Sequence, residues 1–262
     1  MKALSSAFSW VAVAAIVAVA LPVVALVRLF DRDPARYTTG RVFRWLGSQT
    51  TRVNPAWTVH VSGEMPAEMR RPFVVVSNHQ SLADIPLVSR LPGEMKWVAK
   101  SDLFSVPLLG WQMRLAGDIP VDRRDAESRA RVLVRARDVL RKRCSVMFFA
   151  EGTRSRDGRV KAFQDGAFRL AVETQTPVLP IAIDGTMDAL PTHGWIFGRV
   201  ACRVHVFAPV ETAGLTAADV PALREEVRRT IVAQVAAWRG VPAEAVDSLS
   251  RDSGAVAEAV GA

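Results

Sequence analysis

The chain opens on 25 consecutive uncharged residues, Ala3 to Val27, mostly Ala, Val, Leu and Ile. A helix needs about 20 apolar residues to cross a bilayer, so the stretch is long enough, and membrane helices tolerate a kink such as Pro22. Ala18-Val19-Ala20 imitates a signal cleavage site, but a signal peptide has a shorter apolar core. An uncleaved anchor over residues 1–30 is the expectation. An interfacial helix is disfavoured because no polar face runs along the stretch. Residues 31–56 form a juxtamembrane segment. Within it, 41–53 mixes arginines with Val42, Phe43, Trp45 and Leu46, which suits either a short helix at headgroup level or a connector packed on the domain.

From Trp57 the pattern changes to short apolar runs alternating with helical spacings. Trp57 to Ser62 alternates as a strand, with His60 an ordinary strand residue. Phe73-Val-Val-Val76 and Ser145-Val-Met-Phe-Phe149 are unbroken apolar runs, as in strands buried on both faces of a parallel sheet. Lys96–Lys100, Gly117–Arg123, Val178–Ile183 and Val200–Phe207 read as further strands. Helices are predicted around 85–90, 107–115, 165–174 and 221–238. A basic amphipathic helix is predicted over 125–143, apolar at Ala126, Ala130, Leu133, Val134 and Leu140. The expected fold is α/β, a mostly parallel central sheet flanked by helices, with one domain over 57–240 and a flexible tail over 241–262.

Lys and Arg outnumber Asp and Glu 34 to 26, a formal +8, which favours anionic partners such as a membrane surface or phosphorylated substrates. There is a single tyrosine and no zinc-finger or basic-zipper pattern, so nucleic acid is not expected as a partner. Cys144 and Cys202 have no metal-ligand spacing and read as free thiols in a reducing compartment. Lys2 lies on one side of the apolar stretch and Arg28, Arg32, Arg36, Arg41 and Arg44 on the other. By the positive-inside rule the body of the protein then faces the cytoplasm, at the inner membrane.

The candidate chemistry sits where apolar strands break into polar loops. After Val76 come Ser77, Asn78 and His79, so the imidazole stands just past a strand's carboxyl end, the edge where open α/β sheets bind ligands. Asp84 follows five residues later, close enough to hold one ring nitrogen while the other faces a substrate, as in a general base with its orienting carboxylate. Asp84 also suits a helix cap, and Ser81-x-x-Asp84 fits a capping box. Glu151-Gly152-Thr153-Arg154 follows the second apolar strand in the same way. Gly152 permits a tight turn, Arg154 offers a donor fork suited to phosphate, and Glu151 can accept from a substrate hydroxyl or fix that arginine. Arg123, after its own short strand, is a second candidate phosphate contact.

Asn78-His79-Gln80-Ser81-Leu82-Ala83-Asp84 followed by Glu151-Gly152-Thr153-Arg154 resembles the glycerolipid acyltransferases, specifically the 1-acyl-glycerol-3-phosphate (lysophosphatidic acid) acyltransferases. Gly117 to Arg123 is similar to a third block of that family, with Pro120 where an aromatic is common, and Val178-Leu-Pro-Ile181 to a fourth. The likeness covers roughly 57–210. It implies that His79 deprotonates a glycerol hydroxyl which attacks the thioester of acyl-CoA or acyl carrier protein, with Asp84 orienting the ring. It also implies that Arg123, Glu151, Gly152, Thr153 and Arg154 bind the glycerol-phosphate of a lysophospholipid held in the bilayer. No acyl-enzyme, metal or cofactor is implied, and no Gly-x-Ser-x-Gly elbow occurs. Where many members carry a Phe-Lys-x-Gly stretch this chain has Phe163-Gln164-Asp165-Gly166, with Lys161 two positions earlier. Trp97, Leu103, Phe104, Leu108, Leu109 and Trp111 are candidates to line an acyl tunnel.

Overall fold

The computed structural model describes residues 2–68, 70–192 and 194–250. Helix α1 (Lys2–Phe30) and helix α2 (Tyr37–Gln49) precede strand β1 (Trp57–Gly63) and strand β2 (Val74–Ser77). Then come α3 (Asp84–Val88), β3 (Met95–Lys100), α4 (Leu109–Ala116), β4 (Ile119–Val121), α5 (Ala126–Arg141) and β5 (Ser145–Phe149). The chain continues through α6 (Gly166–Thr174), β6 (Val178–Asp184), α7 (Thr186–Ala189), β7 (Val200–Val206), α8 (Val220–Arg239) and α9 (Ala243–Val246).

The strands form one sheet in the order β1-β7-β6-β2-β5-β3-β4. Every pairing is parallel except β6 with β7. The central strand β2 is buried at all four residues, as its β-branched run requires. Alternation divides its side chains. Val74 and Val76 face a layer built by α5, α6 and α8, whereas Phe73 and Val75 face Leu87 and Val88 of α3. On α5 the buried stripe is Ser128, Val132, Ala136 and Leu140, one side chain every four residues. This is not the face marked by Ala126, Ala130 and Val134, and Val134 is exposed. Ser128 fixes the rotation, since its hydroxyl accepts the Asp122 amide at 2.9 Å.

Both ends of the described chain make contacts with the domain. Helix α1 is long and apolar enough to cross a membrane, yet it lies along the domain. Near its start Ser6 Oγ accepts the Phe197 amide at 3.0 Å, and Trp10 donates to the Trp195 carbonyl at 2.8 Å. Further along, Gln112 donates to the Val17 carbonyl at 2.8 Å, and Val24 is buried with Phe43 and Met113. The opposite face, including Phe8, Val11, Val19 and Leu26, is exposed. Only Ser6, Ser9, Ala20 and Val24 of the helix are buried against the domain. Helix α2 is the packed connector of the two readings: Phe43 and Arg44 are buried and only part of the helix, Trp45 included, reaches solvent.

At the other end, the segment from 241 is tied down as far as 250. Val160 and Asp247 form a parallel bridge, Val246 is buried, and Arg228 grips the Asp247 carboxylate with two bonds of 2.8 Å. The remainder of the expected tail, 251–262, lies outside the described residues.

Candidate active site

Adjacent strands bring the two polar loops together. β2 pairs with β5 in parallel, Ser77 opposite Phe149, so the chain leaves both strands at one edge of the sheet, side by side. The ladder then continues through the loops. The Ala150 amide donates to the Ser77 carbonyl at 3.0 Å, and the Ser155 amide donates to the His79 carbonyl at 2.8 Å. On the other flank Asn78 acts as a strand-like extension: its side chain donates to the Ile183 carbonyl at 2.8 Å and accepts the Ile183 amide at 2.9 Å. A side-chain amide has one donor and one acceptor at the spacing a backbone offers, which suits asparagine to this position.

His79 Nδ1 lies 2.6 Å from Asp84 Oδ2, and the Asp84 side chain is fully buried. The same oxygen accepts the Gln80 amide at 2.7 Å and the Ser81 amide at 3.0 Å. Of the two readings of Asp84, it holds the imidazole but does not cap the helix: α3 starts at Asp84 itself after Ala83, with no side-chain cap bond, and the carboxylate ties the preceding loop amides instead. The Nδ1 contact leaves Nε2 without a hydrogen-bond partner among the described residues. The ring stacks on Phe149, centroids 3.8 Å apart and planes within 12°. An imidazole with one nitrogen tied to a carboxylate and the other free is arranged to take and return a proton.

Glu151 turns back under the histidine. Its Oε1 accepts the His79 amide at 3.0 Å, and no ion pair joins it to Arg154. Burial pushes its carboxyl up to about 8, against the pull of the His79 amide and the Lys161 ammonium. Gly152 follows at φ +73, a conformation a side chain would strain. Arg123, Glu151, Gly152 and Thr153 all line one cleft of about 940 Å³ beside Phe149. Burial pulls the pKa of Arg123 below the usual arginine value. Arg154 is half-buried, makes no hydrogen bond or ion pair with the described residues, and is not part of that lining.

Two groups carry more than the sequence reading gave them. Lys161 lines the same cleft, and its ammonium donates to Thr153 Oγ1 at 2.5 Å. Position 164, next to the cleft floor, holds Gln164. Gln80, an unassigned residue of the first motif, donates to Asp184 at 3.2 Å, and Asp184 Oδ1 accepts from Arg239 at 2.6 and 3.0 Å. The end of α8 thereby braces the histidine loop. A separation of 159 residues between Gln80 and Arg239 leaves no local signal of it. A second, apolar cavity of about 280 Å³ starts beside Leu82 and Ala83 and runs beneath α1. Trp97, Leu103 and Leu109 line it; Phe104, Leu108 and Trp111 do not.

The fold is α/β, with the two polar loops side by side at the carboxyl edge of a mostly parallel sheet. Residues 58–184 match the family model described as Acyltransferase. Among curated proteins, a chloroplastic 1-acyl-sn-glycerol-3-phosphate acyltransferase from Arabidopsis thaliana is 39% identical over 160 residues, 60% of this chain and 45% of its own length. The alpha form from Homo sapiens is 37% identical over 176 residues, 66% of this chain and 62% of its own. The chain thus spans about half the length of these relatives. The crystal structure of the 1-acyl-sn-glycerophosphate (LPA) acyltransferase PlsC from Thermotoga maritima matches with a TM-score of 0.77 at 26% identity, over 91% of this chain and 96% of that one.

Proposed function

We propose that the protein transfers a fatty acyl group from a thioester donor, acyl-CoA or acyl carrier protein, to the free hydroxyl of lysophosphatidic acid, giving phosphatidic acid. The observation that carries this reading is His79 beside Asp84 with Nε2 unpartnered, its ring stacked on Phe149, which lines a cleft shared with Arg123, Thr153 and Lys161. Nε2 takes the proton of the acceptor hydroxyl as its oxygen attacks the thioester carbon. Asp84 stabilises the imidazolium. Collapse of the tetrahedral adduct breaks the C–S bond, and the imidazolium returns the proton to the departing thiolate. Arg123, Thr153 and Lys161 hold the acceptor's phosphate, with Arg154 at the next position along the loop, while Glu151 and Gly152 set the loop's shape. The acyl chain lies in the apolar cavity beneath α1.

Helix α1 serves this chemistry as a membrane float. It is pinned to the domain at Ser6, Trp10, Val17 and Val24, so the exposed Phe8, Val11, Val19 and Leu26 face lipid along the helix's length. Each methylene left in the bilayer saves about 0.8 kcal/mol over extraction into water. With α1 lying along the bilayer, the arginine-rich flank after it draws the domain onto the anionic cytoplasmic leaflet of the inner membrane. An acceptor panel tests the reading. Purified protein in micelles with labelled oleoyl-CoA is expected to acylate lysophosphatidic acid in preference to lysophosphatidylglycerol and lyso-ornithine lipid. A preference for the phosphate-free ornithine lipid contradicts it.

A further inference from the structure

A third cavity, of about 610 Å³, lies at the anchor end, against the chain that follows α1. It lies between the connector that follows α1, the end of α4, the edge strand β4 and helix α5. It shares no lining residue with the cleft beside His79, and only Asp118 with the apolar cavity beneath α1. Nothing in the acyl-transfer chemistry calls on it.

Its polar wall is cationic. Arg36, Lys96, Arg114, Arg135 and Lys142 line it, against two carboxylates, Asp118 and Asp138. Both carboxylates are committed: Asp118 to Arg44, and Asp138 to Lys142 at 2.6 Å. Lys96, almost wholly buried, is held at 2.9 Å from Glu94 and donates to the Arg36 carbonyl at 3.0 Å. Arg36, Arg114 and Arg135 meet no carboxylate among the described residues. Arg36 is nevertheless fixed, in a left-handed conformation at φ +52, with its guanidinium donating to the Arg114 carbonyl at 2.7 Å. A strained non-glycine backbone and a positioned guanidinium are features of a formed site rather than of a loose surface arginine.

Location indicates where a ligand comes from. Pro34, Ala35 and Arg36 of the lining follow the end of α1 at Phe30 by four to six residues, a reach of at most about 20 Å. Leu29 and Phe30 are themselves strongly exposed. The cavity therefore opens within reach of the plane in which the apolar helix rests, where phosphate groups are dense. Basic pockets beside membrane segments bind anionic headgroups.

We propose that this cavity is a second anion site, which takes a phosphate ester group, supplied by the headgroup of an anionic phospholipid of the surrounding membrane. Arg114 and Arg135 grip the phosphate from two helices, and Arg36 and Lys96 form the charged floor. The site seats the domain at a fixed depth, independently of the acceptor bound beside His79.

The test is a binding titration of the full chain in neutral maltoside micelles with dihexanoyl phosphatidylglycerol, repeated with dihexanoyl phosphatidylcholine and with inorganic phosphate. The wild-type protein is expected to bind phosphatidylglycerol saturably and phosphatidylcholine at least tenfold more weakly. Arg114→Glu combined with Arg135→Glu removes that binding by tenfold or more, while Arg123→Ala, which damages the proposed acceptor site, leaves it intact. Each double-variant sample is checked for an unchanged melting temperature, and Arg114→Gln with Arg135→Gln is the fallback if charge reversal prevents folding. Inorganic phosphate that binds as tightly as the lipid overturns the lipid source. Binding that survives the double variant, or vanishes with Arg123→Ala instead, overturns the site itself. Because Arg123→Ala reports on the acceptor site, failure here is separable from failure of the proposed activity.

Discussion

Two buried aspartates in this molecule are built alike and serve opposite ends. Asp84 and Asp118 both have fully buried side chains, each accepts backbone amides, and each faces one cationic or potentially cationic side chain. Asp84 faces His79, whose ring has a nitrogen to spare and stacks on Phe149 at the cleft wall. Asp118 faces Arg44 of α2, itself nearly sealed and flanked by the Trp97 ring. Imidazole exchanges a proton near neutral pH, whereas guanidinium keeps its charge. The same unit is therefore a proton relay at the carboxyl edge of the sheet and a permanent tie between α2 and the strand pair β3–β4 at the anchor end.

Breaking the two ties separates these roles. His79→Ala is expected to lower turnover by about 10²–10⁴-fold with the melting temperature preserved. Near wild-type turnover in a folded variant removes the assigned base. Asp118→Ala strands the Arg44 charge, and removal of one partner of a buried pair costs about 3–5 kcal/mol. Its signature is a lowered melting midpoint with an unshifted pH–rate profile, and an unchanged midpoint contradicts the tie. Glu151→Ala leaves the buried His79 amide unpaired and is expected to lower stability by about 1–3 kcal/mol, with turnover falling as the histidine loop loosens. Glu151→Gln keeps an acceptor there and stays close to wild type.

Glu151 also sharpens the comparison through pH. Its carboxyl is raised to about 8 in the folded chain from an ordinary 4.5, so the folded state holds a proton that the unfolded state has lost. Its contribution to stability is complete below about pH 4.5 and disappears as pH climbs to about 8. Glu151→Gln is expected to flatten that decline, which denaturant melts at pH 5 and 8 measure. The smallest effect concerns the anchor end. A Cβ at Gly40 falls 1.9 Å from Glu94 Oε1, so Gly40→Ala pushes α2 off the Glu94–Lys96 pair. Overpacking of this kind costs about 1–3 kcal/mol. A melting point equal to wild type means that α2 is free to shift.

What the sequence made legible follows the range of each interaction. The strands, their order of appearance and the His79–Asp84 couple rest on runs and spacings of a few residues, and the structure contains them. The strand order could not be read, and it is the pairing of β2 with β5 that joins His79 to Glu151 across 72 residues. The Arg44–Asp118 tie spans 74 residues, so Arg44 looked like one more headgroup arginine. Helix α1 remains the candidate membrane anchor that its composition suggests, but composition does not show the contacts at Ser6, Trp10 and Val17 that join it to the domain. Lys161 was visible as an offset lysine, but its position at Thr153 needed the loop fold.

The most direct test of the account is thiol release from oleoyl-CoA by the wild-type protein in micelles, with and without lysophosphatidic acid. If His79 activates the acceptor for direct attack, thiol appears only when acceptor is present, and no acyl group stays on the protein. A burst of thiol without acceptor, with label trapped on the chain, contradicts the account and turns attention to Ser77 or Ser81 as a nucleophile.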